Sequence, residues 1–296
     1  MGVGEFYALA CALMWASAVV LYKHVGDSLS SNTLNLVKNV IGLSLLAPTA
    51  FLVEGLKLPS LEWVDWGVII ASGYLGIAVA DTLYLQALRV IGAGRTAIVA
   101  SLYSPFVVLL SMMFLAETLF LWQWFGFLFV LAGILIVVYQ RHNDDLDSTK
   151  ALKGSLLAAA SVFLTAAGVV AMKPILVNDG FFWIVTLRML AGVIGMLVYL
   201  VLRQRVVPTF NSVFYGEHRW GAIIIASCFG SYFALLFWLG GFKYADASVA
   251  SVLNETANIF IVIMAAVFLK EPLSKRRLCG VGLTFLGVLI FLGVFG

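Results

Sequence analysis

The sequence predicts an all-α membrane protein with ten transmembrane helices, arranged as two inverted five-helix repeats. The chain is 62% hydrophobic and only 11% charged, whereas a soluble domain is about 25% charged. Its apolar residues form ten long continuous runs, and matching residues recur at a constant spacing in the two halves. Duplicated membrane-spanning halves are the usual architecture of a secondary transporter.

Ten apolar runs approach the roughly 20 residues that a helix needs to cross the hydrocarbon core. The runs are continuous and do not alternate as barrel strands do, which favours helices, since only helices and closed barrels satisfy the backbone in lipid. The predicted spans cover residues 5–22, 32–53, 67–88, 93–115, 121–140, 154–176, 181–202, 221–241, 247–269 and 276–295.

The two halves of the chain match each other at two offsets. At an offset of 154 positions the matched pairs are Gly67 and Gly221, Gly76 and Gly230, Glu117 and Glu271, Gly126 and Gly280, and Gly133 and Gly287. At an offset of 150 positions they are Gly4 and Gly154, Lys23 and Lys173, Lys38 and Arg188, and Gly42 and Gly192. These matches predict one repeat at residues 1–148 and a second at residues 149–296.

The basic residues predict the orientation of the spans, because cytoplasmic loops carry an excess of lysine and arginine. One side holds Lys23, Arg89, Arg95, Arg141, Lys150, Lys153, Arg203, Arg205, Arg219, Lys270, Lys275, Arg276 and Arg277. The other side holds Lys57, Lys173 and Lys243. We expect the first side in the cytoplasm and both termini outside it. Because each half has five spans, the second half is inverted relative to the first.

Four ionisable side chains lie well inside predicted spans, namely Lys38, Asp81, Arg188 and Glu255. Each costs about 2.5–3.5 kcal/mol at a helix centre, so such residues normally face the interior of a bundle and pair. Lys38 and Asp81 lie at similar depths from the cytoplasmic side, and Arg188 and Glu255 lie at similar depths from the outer side. We therefore expect two ion pairs, Lys38 with Asp81 and Arg188 with Glu255.

Two interpretations of these charges remain open. In the first they only hold helices together, although desolvation offsets much of the attraction between buried charges. In the second at least one of them lines a central cavity, where it binds substrate or carries a coupling proton. Glu255 is the strongest candidate, because Asn254 and Asn258 flank it in an apolar span and share one helix face.

Span 4 has a polar segment at the matching place in the first half. Pro105 removes a backbone hydrogen bond and predicts a kink. The offset of 154 positions aligns three residues of this segment with three of the segment around Glu255: Ser101 with Glu255, Ser104 with Asn258, and Pro105 with Ile259. We expect both segments to face one site near the bilayer midplane.

Aromatic residues inside the spans are further candidates for contact with a substrate. Most aromatic residues of membrane proteins serve packing or lie at the membrane interface. The candidates on the expected cavity helices are Trp15, Tyr84, Tyr103 and Trp238.

Glycines predict close packing by spans 5 and 10. Gly126 and Gly133 are seven residues apart, as are Gly280 and Gly287, so each pair lies on one helix face. Small residues let helices approach closely in lipid. The partner of this face is either the other half of the same chain or a second protomer, and the chain is accordingly expected to be a monomer or a homodimer.

Several classes of function lack their sequence motifs. The chain has no phosphate-binding loop of the type that hydrolyses ATP and no HExxH motif. His24, His142 and His218 lie at or near loops, and the serines of the spans have no evident histidine and aspartate partners. We expect no metal, no cofactor, no nucleic acid and no enzymatic activity.

Several of these features resemble the EamA-type carriers of the drug/metabolite transporter superfamily. They are the five-plus-five spans, Trp15 in span 1, Lys38 and Arg188 in spans 2 and 7, and the segment that carries Pro105 and ends at Glu117. The sequence has Ile259 where the second half of that family often has another proline. The resemblance implies alternating access by spans 1–4 and 6–9 around a central cavity, with spans 5 and 10 at the periphery.

The expected function is transport of small organic metabolites by alternating access, with export of amino acids or related amphipathic solutes as the specific expectation. Paired opposite charges would bind a zwitterion, and aromatic residues would hold its apolar part. Coupling to protons through Glu255 or Asp81, facilitated diffusion and exchange all remain open. The alternative is a membrane-embedded protein that binds a lipid or solute without transporting it. The expected location is the bacterial inner membrane, in contact with membrane lipid.

Overall fold

The computed structural model of the chain describes residues 2–25, 29–138, 148–177, 180–268 and 275–293. Within these ranges every regular element is helical. The elements of the first half are α1 (Val3–Val25), α2 (Ser31–Glu54), α3 (Trp63–Gly73), the π-helical segment π1 (Tyr74–Ala80), α4 (Asp81–Ala100), α5 (Tyr103–Phe114) and α6 (Leu121–Val138). Those of the second half are α7 (Ser148–Leu176), α8 (Phe181–Leu202), α9 (Val206–Phe214), α10 (Trp220–Ser227), the π-helical segment π2 (Cys228–Phe233), α11 (Ala234–Tyr244), α12 (Ala247–Asn254), α13 (Ala257–Phe268) and α14 (Lys275–Phe291).

Ten apolar helical stretches correspond to the ten predicted spans. In the described part of the chain, seven are long and apolar enough to cross a membrane. The three shorter ones are Tyr103–Phe114, Leu121–Ile136 and Leu278–Phe291. The chain is therefore an all-α, multi-pass membrane protein, as the composition predicts.

The first helices of the two halves run in opposite directions. A side chain at Gly4, at the start of α1, would meet the backbone of Ala245. The end of α7 reaches the same residue, because Lys173 Nζ donates a 2.7 Å hydrogen bond to the Ala245 carbonyl. The second half is thus inverted relative to the first. We call the face that holds these residues the terminal face.

Most of the helices form two bundles that exchange their first helices. The first bundle consists of α3, π1, α4 and α5 of the first half, packed on α7 of the second half. The second bundle consists of α10, π2, α11, α12 and α13 of the second half, packed on α1 of the first half. Helix α8 packs on α3 and π1 of the first bundle, α2 packs mainly on π2 and α10 of the second, and α2 and α8 pack on each other. Each half of the sequence therefore contributes to both bundles.

Helices α6 and α14 pack on each other through the glycines that the sequence singles out. A Cβ at Gly126 would lie 2.5 Å from the backbone nitrogen of Phe291, and one at Gly287 would lie 2.6 Å from that of Val130. Since neither position has room for a side chain, the two backbones are in direct contact. The close packing predicted for spans 5 and 10 is confirmed, and it joins the two halves of one chain.

The duplication extends to irregular features of the helices. The π1 segment begins at Tyr74 and π2 begins at Cys228, which is 154 positions later. Likewise Ser101 and Leu102 form a turn between α4 and α5, and Glu255 and Thr256 form the equivalent turn between α12 and α13. The repeats therefore share their departures from an ideal helix as well as their spans. π-Helical turns in α-helices are frequent at functional sites.

The chain reverses direction within the region where spans 3 and 4 were expected to meet. A side chain at Gly154, near the start of α7, would meet Ile91 of α4. The ring of Phe106, in α5, packs on Phe163 further along α7, with centroids 5.4 Å apart. Ser161 of α7 donates a 2.8 Å hydrogen bond to the Ala80 carbonyl, so the chain runs toward the start of α7 from Ala80 to Ile91 and away from it from Ile91 to Phe106. The chain therefore turns back near Ile91. The turn is not marked by non-helical residues at 88–93, where the sequence predicts a boundary.

One helix was not expected from the sequence. The predicted spans leave this segment as a polar connection between spans 7 and 8, but Val206–Phe214 forms α9. Val206, Phe210 and Phe214 recur at intervals of four and are all exposed, and that spacing places them on one face of a helix. A short amphipathic helix of this kind is typical of the membrane interface.

Candidate functional site

Lys38 and Asp81 form the ion pair that their depths in the membrane predict. Lys38 Nζ, on α2, lies 3.3 Å from Asp81 Oδ2, at the first residue of α4. The Asp81 side chain is 36% exposed and that of Lys38 is 18% exposed. The Lys38 ammonium also lies 6.0 Å from the centre of the Trp15 ring of α1. This contact brings spans 1, 2 and 3 together around one charged pair.

Arg188 lies on α8 and is 2% exposed. Its Nε donates a 2.9 Å hydrogen bond to Ser72 Oγ of α3, and its guanidinium lies 5.1 Å from the centre of the Trp238 ring of α11. A guanidinium at this distance from an indole gains cation–π attraction. Neither terminal nitrogen of Arg188 donates a hydrogen bond to a described residue.

The predicted ion pair between Arg188 and Glu255 is wrong. No bond joins them in the described part of the chain, and each has other neighbours. Arg188 interacts electrostatically with Asp81 and with Tyr103 instead. Similar depth in two helices is a necessary condition for pairing, but the side chains must also face each other, and depth alone does not determine that.

Two glycines allow α8 to approach the first bundle closely enough for Arg188 to reach Ser72. A Cβ at Gly73 would overlap the Arg188 carbonyl, and one at Gly76 would lie 2.9 Å from Arg188 Nη2. Any larger residue at either position would displace the arginine or its helix. Gly76 is one of the glycines that recur at the offset of 154 positions.

The aromatic candidates Tyr103 and Trp238 bond directly to each other. Trp238 Nε1 donates a 3.1 Å hydrogen bond to the Tyr103 hydroxyl, which joins α11 of the second bundle to α5 of the first. Tyr84 follows Asp81 by one helical turn and interacts electrostatically with it. All three aromatic residues therefore neighbour one of the buried charges.

Glu255 is buried, with 7% exposure, in the turn between α12 and α13. Asn258 Nδ2 donates a 3.1 Å hydrogen bond to Glu255 Oε2, and the backbone N–H of Ser104 also interacts with this carboxylate. Ser104 lies in the first turn of α5, where backbone N–H groups lack helical partners and favour negative charge. The start of a helix of the other bundle thus faces the Glu255 carboxyl group.

Two polar side chains beside Glu255 have no partner in the described part of the chain. They are Asn254, whose amide nitrogen and oxygen are both buried and unbonded, and Ser104, whose hydroxyl is buried and unbonded. A buried polar group without a partner costs about 1–3 kcal/mol. Such groups are therefore candidates for contact with a solute.

The interruption predicted at Pro105 lies just before that residue. Pro105 is the third residue of α5, and the turn at Ser101 and Leu102 precedes it. Proline has no N–H to donate to the carbonyl four residues earlier, which is that of Ser101. The second half has the same turn although Ile259 replaces the proline. There, Thr256 Oγ1 donates a 2.7 Å hydrogen bond to the Leu253 carbonyl.

The candidate residues form a series of direct contacts and electrostatic interactions through the interior. Direct contacts join Trp15 to Lys38 and Lys38 to Asp81, and join Arg188 through Trp238 to Tyr103. Electrostatic interactions link Asp81 to Arg188 and Tyr103 to Glu255. These residues come from both bundles and from α2 and α8. We call this series the central network, with the following members: Trp15, Lys38, Asp81, Tyr84, Tyr103, Ser104, Pro105, Arg188, Trp238, Asn254, Glu255 and Asn258.

Sequence reasoning missed three residues that the structure makes prominent. Ser72 is the hydrogen-bond partner of Arg188, and nothing in its sequence neighbourhood indicates this role. Glu117 and Lys173 form a second ion pair, with Lys173 Nζ 2.7 Å from Glu117 Oε1. Both recur at the repeat offsets, a signal that points to this pair. Their matching residues, Lys23 and Glu271, lie outside the residues whose side chains are described.

The donor set of the described residues favours no metal. These residues contain no group of three or more histidine, cysteine, aspartate or glutamate side chains placed to hold an ion. What the central network offers is one buried guanidinium, one partly exposed carboxylate, aromatic faces and uncommitted amide and hydroxyl groups. These groups suit a small organic solute that carries both charge and apolar surface.

Comparison with protein families gives a match across nearly the whole chain. The model of the EamA-like transporter family matches residues 2–139 and again residues 152–293.

Individual proteins match at lower identity. A protein of Archaeoglobus fulgidus described as an uncharacterized transporter is 23% identical over 245 residues, which is 83% of this chain and 84% of the relative. The uncharacterized transporter YyaM of Bacillus subtilis is 25% identical over 244 residues, 81% of this chain and 77% of the relative. One crystal structure aligns with a TM-score of 0.80 at 19% identity, covering 98% of this chain and 96% of the other, which shows a shared fold.

Proposed function

The chain belongs to the EamA-like transporter family and is a multi-pass membrane transporter, and we propose that it exports amino acids or closely related amphipathic solutes by alternating access. The observation that carries this proposal is the arrangement around Arg188. A buried guanidinium with free terminal nitrogens lies near the carboxylate of Asp81 and against the face of Trp238.

These groups complement the parts of an amino acid. A guanidinium binds a carboxylate through two parallel hydrogen bonds. The terminal nitrogens of Arg188 can donate two such bonds to the carboxylate of a solute. Asp81 is engaged by a single contact with Lys38, so its second oxygen remains to accept a bond from an ammonium group. Trp238 and Tyr103 offer apolar faces for the side chain of the solute. A zwitterion would therefore satisfy both charges at once.

The arrangement of the bundles supports alternating access. The central network contains residues of both bundles and of α2 and α8, so a change in the angle between the bundles would alter it. The breaks at Ser101–Leu102 and at Glu255–Thr256 place non-helical backbone beside the network. Discontinuous helices near the midplane are typical of transporter binding sites. Helices α6 and α14 pack outside this arrangement, in keeping with a peripheral role for spans 5 and 10.

The coupling of transport is a separate part of the proposal. Glu255 or Asp81 would carry a proton if export is driven by a proton gradient, and facilitated diffusion or exchange would need neither. We further propose that the protein resides in the inner membrane of a bacterium with both termini outside the cytoplasm, surrounded by membrane lipid, as a monomer or homodimer.

Counterflow in proteoliposomes tests the substrate class. Vesicles loaded with L-phenylalanine are expected to accumulate radiolabelled L-phenylalanine. Phenethylamine and 3-phenylpropionate, which each lack one charge, should compete poorly. Arg188→Ala should abolish accumulation. Equal competition by all three compounds would contradict recognition of a zwitterion.

The alternative is a protein that binds a solute or lipid within the membrane without moving it. The unbonded polar groups of Ser104 and Asn254 suit binding as well as transport. The two functions differ in one measurement, since a protein that only binds would show saturable binding of L-phenylalanine in detergent and no counterflow in vesicles.

A further inference from the structure

The terminal face holds a largely buried ion pair of the first bundle that is hydrogen-bonded to the second bundle. Its members are Glu117, Lys173, Ala245, Ala247 and Ser248, and we call them the terminal-face cluster. Glu117 follows α5 and Lys173 lies on α7, so both belong to the first bundle. The other three residues lie at the start of α12 and immediately before it, in the second bundle.

Five hydrogen bonds hold this cluster together. Lys173 Nζ donates to Glu117 Oε1 and to the Ala245 carbonyl, each at 2.7 Å. The backbone N–H of Ala247 donates to Glu117 Oε1 at 2.7 Å, and the N–H and Oγ of Ser248 donate to Oε2 at 3.0 and 2.8 Å. The carboxylate thus caps the start of α12, which favours negative charge.

The backbone before Glu117 is held in an unfavourable conformation. Ala116 has a φ of 53°, in the left-handed region that residues with a Cβ rarely adopt. Such a conformation persists only where the surrounding contacts fix it. Here it directs the next side chain, Glu117, into the second bundle. Strained backbone of this kind is concentrated at functional sites.

A cavity on the terminal face ends at the cluster. It has a volume of about 440 Å³ and is lined in part by Glu5, Lys243 and Asp246. Lys173 and Ala245 belong to its wall as well as to the cluster. The contact between the bundles therefore borders a cavity of the terminal face.

We propose that the terminal-face cluster is the closure of the transport path on that face, and that Glu117 and Lys173 must separate from α12 each time the path opens there. This inference rests on the alternating access of the proposed function, but not on the identity of the solute. In alternating access the bundles part on one face at a time. When they part on the terminal face, the four hydrogen bonds that join Glu117 and Lys173 to Ala245, Ala247 and Ser248 are lost, whereas the Lys173–Glu117 pair stays within the first bundle.

The molecule contains a control for this role. Asp65, in the first turn of α3, accepts a 3.2 Å hydrogen bond from the backbone N–H of Glu62, the residue that precedes the helix. This carboxylate therefore also caps the start of a helix, but both residues lie at the start of α3 in the first bundle, so the cap does not join the two bundles. Asp65→Asn should weaken a helix cap without opening the path.

Reactivity of a buried cysteine measures the opening directly. The reporter is Ala250→Cys, one turn below the start of α12, where Ala250 is 0% exposed, with Cys11, Cys228 and Cys279 replaced by alanine. In purified protein in nanodiscs, Glu117→Gln and Lys173→Met should each raise the rate of reaction with a hydrophilic maleimide by about tenfold or more, because charge-assisted bonds are lost. Asp65→Asn should leave the rate unchanged.

A second reporter distinguishes opening from general unfolding. Ala158→Cys, on α7 near its other end and also 0% exposed, should react equally slowly in all these variants. Equal rates at Ala250→Cys in the Glu117→Gln and Asp65→Asn proteins would overturn the proposal, as would equal acceleration at both reporters. Because the assay uses no solute, it fails or succeeds independently of the substrate assignment.

A cross-link tests the same closure by preventing it from opening. Glu117→Cys combined with Ser248→Cys places two thiols across the cluster, and a short bifunctional thiosulfonate should join them. The joined protein should lose more than 90% of its counterflow, and reduction should restore it, since the bundles can part again. Full counterflow in the joined protein would show that the terminal face opens elsewhere.

Discussion

Arg188 Nε is hydrogen-bonded to Ser72 Oγ at 2.9 Å, across 116 positions of sequence. The partner is a neutral hydroxyl and not a carboxylate, so the bond fixes the orientation of the guanidinium without cancelling its charge. The terminal nitrogens and the face against Trp238 remain in the interior. A positive group held in this way is prepared to bind an anionic group of a solute, whereas a fully paired arginine is not.

Arg188→Lys should impair transport despite conserving the charge. Lysine cannot make the Nε bond to Ser72 and offers no planar fork to a carboxylate. We expect KM for L-phenylalanine counterflow to rise about tenfold or more, and Ser72→Ala to have a smaller effect in the same direction. Ser44→Ala, at an exposed residue that bonds only its own helix, is the control. Wild-type kinetics in Arg188→Lys would remove Arg188 from substrate recognition.

Glu255→Gln tests whether transport is coupled to protons. Glutamine keeps the size of the side chain and can still bond to Asn258, but it cannot exchange a proton. If Glu255 carries the coupling proton, wild-type flux should follow an imposed pH gradient and flux through Glu255→Gln should not. The measurement is radiolabelled flux at several gradients. Wild-type flux that ignores the gradient would favour uniport or exchange.

The stability contributed by Glu117 should be lost only in acid. Burial raises the pKa of this carboxyl, but hydrogen bonds from Lys173, Ser248 and Ala247 outweigh burial, so the pKa lies below its usual range. A lowered pKa in the folded state stabilises the fold above the unfolded value, about 4.3 for glutamate, and this stability disappears as pH falls through the folded value. The other charged groups facing this region are Glu5, Lys243 and Asp246.

Thermal unfolding in detergent checks this dependence on pH. The difference in Tm between wild type and Glu117→Gln should be constant from pH 5 to pH 8, roughly the range over which the carboxyl stays ionised. It should shrink below about pH 4. A difference that already disappears between pH 7 and pH 5 would contradict the direction of the pKa shift.

Gly133→Ala should destabilise the pair formed by α6 and α14. A Cβ at this position would overlap Thr284 Oγ1 and lie 2.7 Å from the Gly280 carbonyl, so the helices would have to separate. Overpacking of this kind costs about 1–3 kcal/mol. The matched control is Gly282→Ala on the same helix pair, where a Cβ meets nothing within 4 Å. Thermal unfolding of both variants in detergent makes the comparison.

The orientation predicted from basic residues can be tested with single cysteines. Lys57→Cys and Lys150→Cys lie on opposite faces of the chain, and both positions are exposed. With both termini outside, an impermeant maleimide added to intact cells should label Lys57→Cys and not Lys150→Cys. The reverse pattern would invert the assignment, and the terminal face would then be the cytoplasmic one.

The ten spans and the Lys38–Asp81 pair could be predicted because they depend on length, hydropathy and depth, all of which are local in sequence. The partner of Arg188 could not, because two residues at similar depth meet only if their helices are rotated toward each other. The π-helical segments at Tyr74 and Cys228 change that rotation by adding a residue to a turn, and apolar periodicity does not reveal them.

The terminal-face cluster shows a second reason why contacts could not be predicted from the sequence. Glu117 and Lys173 both recur at the repeat offsets, so the sequence marks them individually. Their pairing depends on the exchange of first helices between the bundles, which brings α7 beside α5 and α12. That exchange is a property of the tertiary arrangement. The division of the chain between residues 148 and 149 stays a prediction.

The exchange of first helices also bears on how the protein is made. Helix α1 leaves the ribosome first, yet the helices that surround it, α11, α12 and α13, are among the last to be synthesised. Until those helices are synthesised, the polar and small residues of α1 are exposed to lipid. Two separately encoded halves should consequently assemble only when both are produced in the same membrane, because neither polypeptide can complete a bundle from its own helices.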